Sequence, residues 1–135
     1  MARMFQLSIV APDRSVVDEP ASSAVIPGSE GYFGVLAGHV HMVAALKPGL
    51  LEFLDGNNQR QHIAIGGGFA EVTPERLIVL ADTAERASEI DVAQAEADLE
   101  NARKALRGEN ASMTSEEAVL EVERAMNRIR AARGH

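Results

Sequence analysis

The chain of 135 residues contains no cysteine and no tryptophan. The absence of cysteine excludes disulfide bonds, thiol catalysis and zinc–thiolate sites. The sequence also lacks an apolar run of the roughly 20 residues that cross a bilayer as a helix. Its first residues enter a strand pattern directly, so we expect neither a membrane span nor a signal or transit peptide. Because the net charge is −7 and no broad basic patch is present, we do not expect nucleic acid as the main partner.

Proline, glycine and the aromatic residues are concentrated in the first part of the chain. All five prolines, all five aromatic residues and nine of the eleven glycines precede residue 75, whereas the part after about residue 88 is rich in Ala, Glu and Arg. This distribution predicts a β-type module at residues 1–88 and a helical module at residues 89–135.

The first module has the pattern of an all-β domain. Residues 5–9 alternate between apolar and polar, and residues 55–58 (Asp-Gly-Asn-Asn) give a hairpin-turn signal. Many short strands separated by turn signals predict a β-sandwich. We expect the apolar run 76–81 to be buried on both faces or nearly so. The three glycines 66–68 predict a bulge beneath a closely packed strand rather than a nucleotide-binding loop.

Residues 27–49 form a glycine-punctuated stretch around which the first module is organised. Five glycines separate short apolar runs there, a spacing that suits tight turns and bent strands but not a helix. One interpretation is that the glycines allow close backbone approach where strands cross between sheets. The other is that Ser29, Glu30 and Gly31 present a carboxylate and bare backbone to a partner.

The second module predicts two antiparallel helices joined by a short loop. Asp91 and Gln94 form a capping box at the start of the first helix, Gly108 ends it, and Thr114 with Glu117 begins the second. An apolar seam at spacings of three and four is expected to join the helices. Its residues are Val92, Ala95, Leu99, Ala102 and Leu106 on the first helix, and Val119, Val122, Met126 and Ile129 on the second.

This predicted seam is thin and rich in alanine. Burying a Val or Leu side chain contributes about 1.5 to 3 kcal/mol, whereas ordering each residue costs about 1.5 kcal/mol. We therefore predict a hairpin close to its folding margin, which docks on the sandwich weakly enough to leave it for another surface.

Charge along the second helix is polarised, with glutamates before arginines. One interpretation is that these charges complement the helix dipole and form pairs one turn apart. The alternative is a basic tip for an acidic partner or a phosphate, because Arg124 and Arg128 lie one turn apart on one face. Both interpretations remain open at the level of the sequence.

Catalytic and metal sites find little support in the sequence. His39 and His41 alternate on an expected strand and would share one face, but no third ligand follows at a suitable spacing. No Ser/His/Asp arrangement, nucleophile elbow or carboxylate pair stands out. We therefore expect no catalytic activity of the chain's own.

Four sequence blocks carry a resemblance to a known family. They are residues 28–39, 46–49, 67–72 and 79–84, and the two-helix tail follows them. In order and spacing they resemble the epsilon subunit of F-type ATP synthases, from end to end of the chain. The resemblance implies an N-terminal sandwich of two five-stranded sheets, a C-terminal antiparallel two-helix hairpin and a place in the rotating central stalk.

The resemblance also implies contacts for the sandwich. In the family the loop matching residues 29–31 faces the polar loops of the ring of proton-carrying membrane subunits. The region of His39, His41 and Met42 would contact the gamma subunit. This chain has Val40-His41 where the family usually has Ala-Pro, which affects the fine geometry of that contact.

The resemblance further implies that the hairpin acts as a brake on ATP hydrolysis. Folded down it permits hydrolysis, and extended into the catalytic head of alpha and beta subunits it inhibits hydrolysis. The inhibitory contact would use Arg124, Arg128 and Arg130. Such a brake is a two-state element whose populations shift with its ligands.

Some family members bind ATP on the folded-down hairpin through the motif Ile/Leu-Asp-x-x-Arg-Ala. The matching residues here are Glu85, Ile90, Asp91, Ala95, Arg124 and Arg128. Gln94 takes the motif's arginine position, so one cationic fork is missing. We therefore expect weak binding of ATP with magnesium as a regulatory ligand, or none, and no other cofactor.

The resemblance thus implies a non-catalytic central-stalk subunit that couples rotation in proton-driven ATP synthesis and inhibits hydrolysis. We expect it to lie peripherally at the cytoplasmic face of the bacterial inner membrane or, alternatively, at a thylakoid membrane. The competing interpretation is a free-standing nucleotide-sensing module whose helices close over a ligand. Stable copurification with a gamma-like partner would distinguish the two.

Overall fold

The computed structural model describes residues 3–134. This part of the chain forms seven strands, a short 3₁₀ turn at Ala87–Glu89 and two helices. The strands are β1 (Phe5–Ala11), β2 (Arg14–Gly28), β3 (Gly31–Val35), β4 (Met42–Asp55), β5 (Arg60–Val72), β6 (Arg76–Ala81) and β7 (Ala84–Arg86). The helices are α1 (Val92–Leu106) and α2 (Ser115–Ala132). The chain divides into two compact units between Arg86 and Ala87, so the first contains the strands and the second contains the helices.

Hydrogen bonds join the described strands in the order β1-β6-β5-β4-β2-β3, with β7 beside β5 and β1 also paired with β2. Because β2, β4 and β5 are 15, 14 and 13 residues long, each pairs with different neighbours along its length. One layer contains β1, β6, the first parts of β2 and β4 and the last part of β5. The other layer contains β3, β7, the last parts of β2 and β4 and the first part of β5. The expected sandwich of two five-stranded sheets is confirmed in this form.

The core of the first unit is built from alternate residues of its strands. In β1 every second side chain is buried, as the sequence alternation predicts. In β6, Leu77, Val79 and Ala81 are buried, whereas Leu80 is 57% exposed. The prediction that this strand is buried on both faces is wrong, because its apolar residues stand on the outward side of the sheet as well as on the core side.

Gly68 marks the point where β5 passes close to β6. Its φ is 137°, and a Cβ there would lie 2.9 Å from the Cα of Ala81 and would clash with the carbonyl oxygen of Leu80. No residue with a side chain fits such a position without backbone movement. The close packing predicted for the glycine triplet is confirmed, but the register with β4 continues through it, so the predicted bulge is not formed there.

Both helices of the second unit begin at the predicted caps. The Asp91 side chain accepts a hydrogen bond of 3.1 Å from the Gln94 backbone N–H, and Thr114 accepts one of 3.1 Å from the Glu117 backbone N–H. These bonds satisfy N–H groups that have no partner within the first turn of a helix. The helix starts are therefore encoded locally, within three residues of each cap.

The most buried side chains of the hairpin are small. They are Ala95 and Ala102 on α1, and Ala118, Ala125, Asn127 and Ala131 on α2. The larger seam residues Leu106, Val119 and Met126 are 45%, 48% and 41% exposed, so that part of the seam prediction is wrong. On α2 the buried Ala118 and Ala125 stand one position before the predicted Val119 and Met126, which turns this part of the buried face by about 100°.

Candidate functional site

The loop that joins β2 to β3 presents a carboxylate at its tip. Gly28 pairs with Gly31 across this hairpin, and Ser29 and Glu30 are exposed between them. The Ser29 backbone N–H donates a hydrogen bond of 2.8 Å to the carbonyl oxygen of Ala45 in β4, which fixes the loop against its neighbour. Gly31 has a φ of 134°, which residues with side chains rarely adopt. The glycines therefore close the turn, and the turn offers Glu30 to solvent.

The residues expected to face a second partner lie in and just after the loop between β3 and β4. Since this loop spans residues 36–41, His39 and His41 do not alternate on a strand, and that prediction is wrong. The Gly38 backbone N–H donates 2.7 Å to the carbonyl oxygen of Pro74, and the His39 N–H donates 3.2 Å to that of Leu36. These two bonds fold the segment into a turn instead of extending it.

The candidate contact residues of this loop have separate surroundings. The Nδ1 of His39 lies 2.7 Å from the carbonyl oxygen of Val40, and the Nε2 of His41 lies 3.2 Å from the exposed carboxylate of Glu71. Met42 begins β4 and packs, partly buried, against the core. No group of three His, Asp or Glu residues suited to a metal ion occurs in residues 3–134. The loop offers separate polar and apolar contacts rather than a ligand set.

An apolar surface that the sequence did not reveal lies on the outward side of the layer containing β1 and β6. Val43, Phe69 and Leu80 are 66%, 59% and 57% exposed. Phe69 and Leu80 are direct neighbours across β5 and β6, and Val43 lies diagonally from Phe69, which pairs with Ala45. Clustered exposed apolar side chains mark interaction surfaces. One signal in the sequence could have found it: in residues 69–72 the period of two that buries Ala70 and Val72 places Phe69 on the outward side.

The residues expected to hold ATP are divided between the two units. Glu85 lies on β7 in the first unit, and the other five lie in the second. Ile90 is half-buried just before α1, Asp91 caps the helix, and the side chain of Ala95 is fully buried. Asp91 and Ala95 therefore serve the start and the packing of α1 in this form of the hairpin.

The two arginines expected at the ATP site are engaged with carboxylates. An Nη1–Oδ2 distance of 3.3 Å joins Arg128 to Asp98 across the two helices, and one of 3.3 Å joins the Arg124 Nη1 to the Glu121 Oε1. Gln94, in the motif's arginine position, donates 2.9 Å to the other oxygen of Asp98. In this closed hairpin, in which α1 and α2 pack against each other, Asp98 thus occupies the guanidinium that Arg128 would otherwise offer to a phosphate.

Arg130, the third residue expected in the inhibitory contact, lies on a different side of α2. Two residues of helix turn it by about 200° from Arg128. Arg124 and Arg128 share one face and their side chains are both 21% exposed, whereas Arg130 is exposed and lines a groove between the helices. The closed hairpin does not bring the three arginines together.

Two family models together match nearly the whole chain. The beta-sandwich domain of the ATP synthase delta/epsilon chain matches residues 4–87, and the long alpha-helix domain of the same chain matches residues 88–133. The chain belongs to the ATP synthase delta/epsilon chain family. In its described part, neither helix combines the length and the apolar composition that crossing a membrane requires.

Individual relatives extend this match along the full length. The ATP synthase epsilon chain of Desulforamulus reducens is 39% identical over 132 residues, which cover 98% of this chain and 99% of that protein. The epsilon chain of Moorella thermoacetica is 36% identical over 128 residues, covering 95% and 96%. A chain in the OSCP/F1/c-ring structure of the Euglena gracilis mitochondrial ATP synthase superposes with a TM-score of 0.75 at 27% identity, over 98% of this chain and 82% of that one.

Proposed function

We propose that the chain is a non-catalytic central-stalk subunit of an F-type ATP synthase. It couples rotation between the catalytic head and the membrane rotor ring in proton-driven ATP synthesis, and it inhibits ATP hydrolysis through mobile C-terminal helices. The observation that carries most weight is that both units match the same family, in order and nearly end to end. In this proposal the subunit lies peripherally at the cytoplasmic face of a bacterial inner membrane.

The sandwich is the anchoring part of the subunit in this proposal. The rigid loop with Ser29 and Glu30 contacts the polar loops of the rotor ring, because it presents a charge without its own ion pair among the described residues. The loop with His39 and His41, together with Met42, contacts the gamma subunit. Exposure of the loop and its departure from strand geometry support a role in recognition rather than in the core.

Substitution of Glu30 tests the ring contact. Glu30→Lys reverses the charge at the tip of the β2–β3 loop, and we expect weaker retention of the subunit on the rotor ring and lower ATP synthesis in membrane vesicles. Asp13→Lys is the matched control, because Asp13 is also an exposed acid in a hairpin turn, between β1 and β2. Equal behaviour of the two variants would contradict the assignment of the ring contact to Glu30.

The two helices of the hairpin gain little free energy from packing against each other. A buried alanine methyl contributes on the order of 0.8 kcal/mol, against about 1.5 to 3 kcal/mol for a buried Val or Leu. The hairpin buries five alanines, while four large apolar side chains of it stay 36% to 48% exposed. These are Leu106, Val119, Leu120 and Met126. The hairpin is thus held together by small buried side chains, while larger apolar side chains remain exposed. This supports a second position in which the helices bury those larger side chains against another surface.

Removal of the helices from the assembled complex tests the brake. Truncation after residue 88, and separately Arg124→Ala combined with Arg128→Ala, are expected to raise ATP hydrolysis when the intact hairpin inhibits it. The control is Arg107→Ala, since Arg107 is an exposed hairpin arginine paired with Glu100 and Glu109 near the end of α1. Hydrolysis unchanged by truncation would remove the inhibitory role and leave a coupling subunit.

The contacts of the closed hairpin disfavour a regulatory ATP site. Gln94 lacks the charge of the motif's arginine, and Asp98 already neutralises Arg128. We therefore expect titration calorimetry of the full chain with MgATP to show weak binding or none. Low-micromolar binding would contradict this reasoning and, in a chain that does not copurify with a gamma-like partner, would favour the free-standing nucleotide sensor instead.

A further inference from the structure

A groove runs along the hairpin between α1 and α2, away from the residues expected to bind ATP. Its cavity is about 370 Å³ and lies entirely within the second unit. Cavities of small-molecule sites begin at about 300 Å³, so the groove is large enough for a compact ligand but not for a long one. Neither Arg124 nor Arg128 lines it.

Positive charge dominates the walls of the groove. At one end Arg133 and Glu96 form an ion pair of 3.2 Å across the helices. Arg103 on α1 and Arg130 on α2 also line the groove, and neither pairs with a carboxylate among residues 3–134. One uncompensated guanidinium therefore stands on each side, and two such forks favour a phosphate-type anion.

The floor of the groove is apolar. Leu99 of α1 and Met126 and Ile129 of α2 form it, and Met126 is 41% exposed. A thioether packs well against the edge of an aromatic ring, and a guanidinium stacks on its face. Apolar walls that hold a few converging charged groups are the usual composition of a ligand site.

We propose that this groove binds a small phosphate monoester that carries an aromatic ring. The phosphate lies between the guanidinium groups of Arg103 and Arg130, and the ring lies on Leu99 and Met126. The Glu96–Arg133 pair closes one end, which limits the ligand to a compact molecule and disfavours a helix of another protein laid along the whole groove. Because the ligand contacts both helices, it stabilises the closed hairpin by mass action.

Phenyl phosphate is the probe that tests this proposal, titrated into the isotope-labelled full chain and followed by NMR. We expect saturable shifts of the Leu99, Met126 and Ile129 methyl groups. Inorganic phosphate, which lacks the ring, and phenol, which lacks the charge, should each bind at least about tenfold more weakly. Equal binding of either fragment, or shifts centred on Arg124 and Arg128, would overturn the proposed site.

Two arginine substitutions complete the test. Arg103→Gln and Arg130→Gln should each weaken phenyl phosphate binding about tenfold or more, because each removes one of the two forks. Arg107→Gln is the matched control, as Arg107 is an exposed arginine of the same hairpin outside the groove lining. Equal loss in all three variants would show a non-specific effect of charge and would overturn the proposal. The experiment uses the chain alone, so its outcome is independent of the role proposed in the ATP synthase.

Discussion

The alanines of the hairpin allow its closed form to be perturbed in a controlled way. Ala102 is fully buried on α1, whereas Ala97 is exposed on the same helix. In Ala102→Leu the larger side chain must fit into the close contact between the helices. In Ala97→Leu the same side chain extends into solvent. Because Leu and Ala have similar helix propensities, the difference between the two variants isolates packing.

The size of the expected effect follows from the cost of overpacking. Forcing extra methylene groups into a well-packed contact costs about 1 to 3 kcal/mol. A change of that size raises the open population of the hairpin about 5-fold to 150-fold. Burial of the new Leu offsets part of the cost, so the lower half of this range is the expected result for Ala102→Leu.

Amide hydrogen exchange of the full chain measures this effect. In Ala102→Leu the amides of α2 should exchange faster by the stated factor, while amides of the β1–β6 pair stay unchanged. Ala97→Leu should leave both sets unchanged. Equal or greater protection of α2 in Ala102→Leu would refute the packing argument. In the assembled complex the same variant should lower ATP hydrolysis, and failure of that arm alone would refute the brake while leaving the packing intact.

Two further predictions concern the sandwich. Gly68→Ala should destabilise it by roughly 2 to 4 kcal/mol through strain and overlap, whereas Gly56→Ala, whose Cβ meets open space, should leave the urea midpoint nearly unchanged. Burial raises the pKa of Glu52, but hydrogen bonds from Arg60 and His62 outweigh it and hold the pKa below the ordinary 4.5. The ionised Glu52 carboxylate therefore contributes fully to the free energy of unfolding above pH 4.5, the ordinary pKa. This contribution is lost as the pH falls through the lowered pKa of the folded state. Urea unfolding across this range should show a flatter profile for Glu52→Gln, and an unchanged profile would refute the link.

The features predicted correctly from the sequence are those encoded over a few residues. Asp91 and Thr114 bind backbone N–H groups three positions on, and the alternation of β1 needs no distant information. The strand predicted at His39 and His41 is wrong for the opposite reason. The turn there is held by Pro74, a residue more than thirty positions away, and no local pattern encodes that bond.

The hairpin seam shows a second kind of limit. Periodicity identifies a broad apolar stripe on α2, but a stripe of several residues contains more than one possible contact line. The largest residues, Val119 and Met126, suggest one line, whereas the buried line runs through Ala118 and Ala125 beside it. Which line is buried depends on how closely the facing surface approaches, and small side chains permit the closest approach.

The two faces of the closed hairpin differ in whether the arginines that could hold an anion are paired with a carboxylate of the other helix. On one face Asp98 pairs with Arg128, so a phosphate bound there must displace a contact that itself holds α1 to α2. Ion pairs at this exposure contribute about 0.2 to 1 kcal/mol, so such a ligand gains little net closure from replacing one. On the opposite face Arg103 and Arg130 line the groove without a described carboxylate partner. A ligand there adds a contact between the helices without removing one, so of the two faces the groove is the one through which an anion favours the closed state.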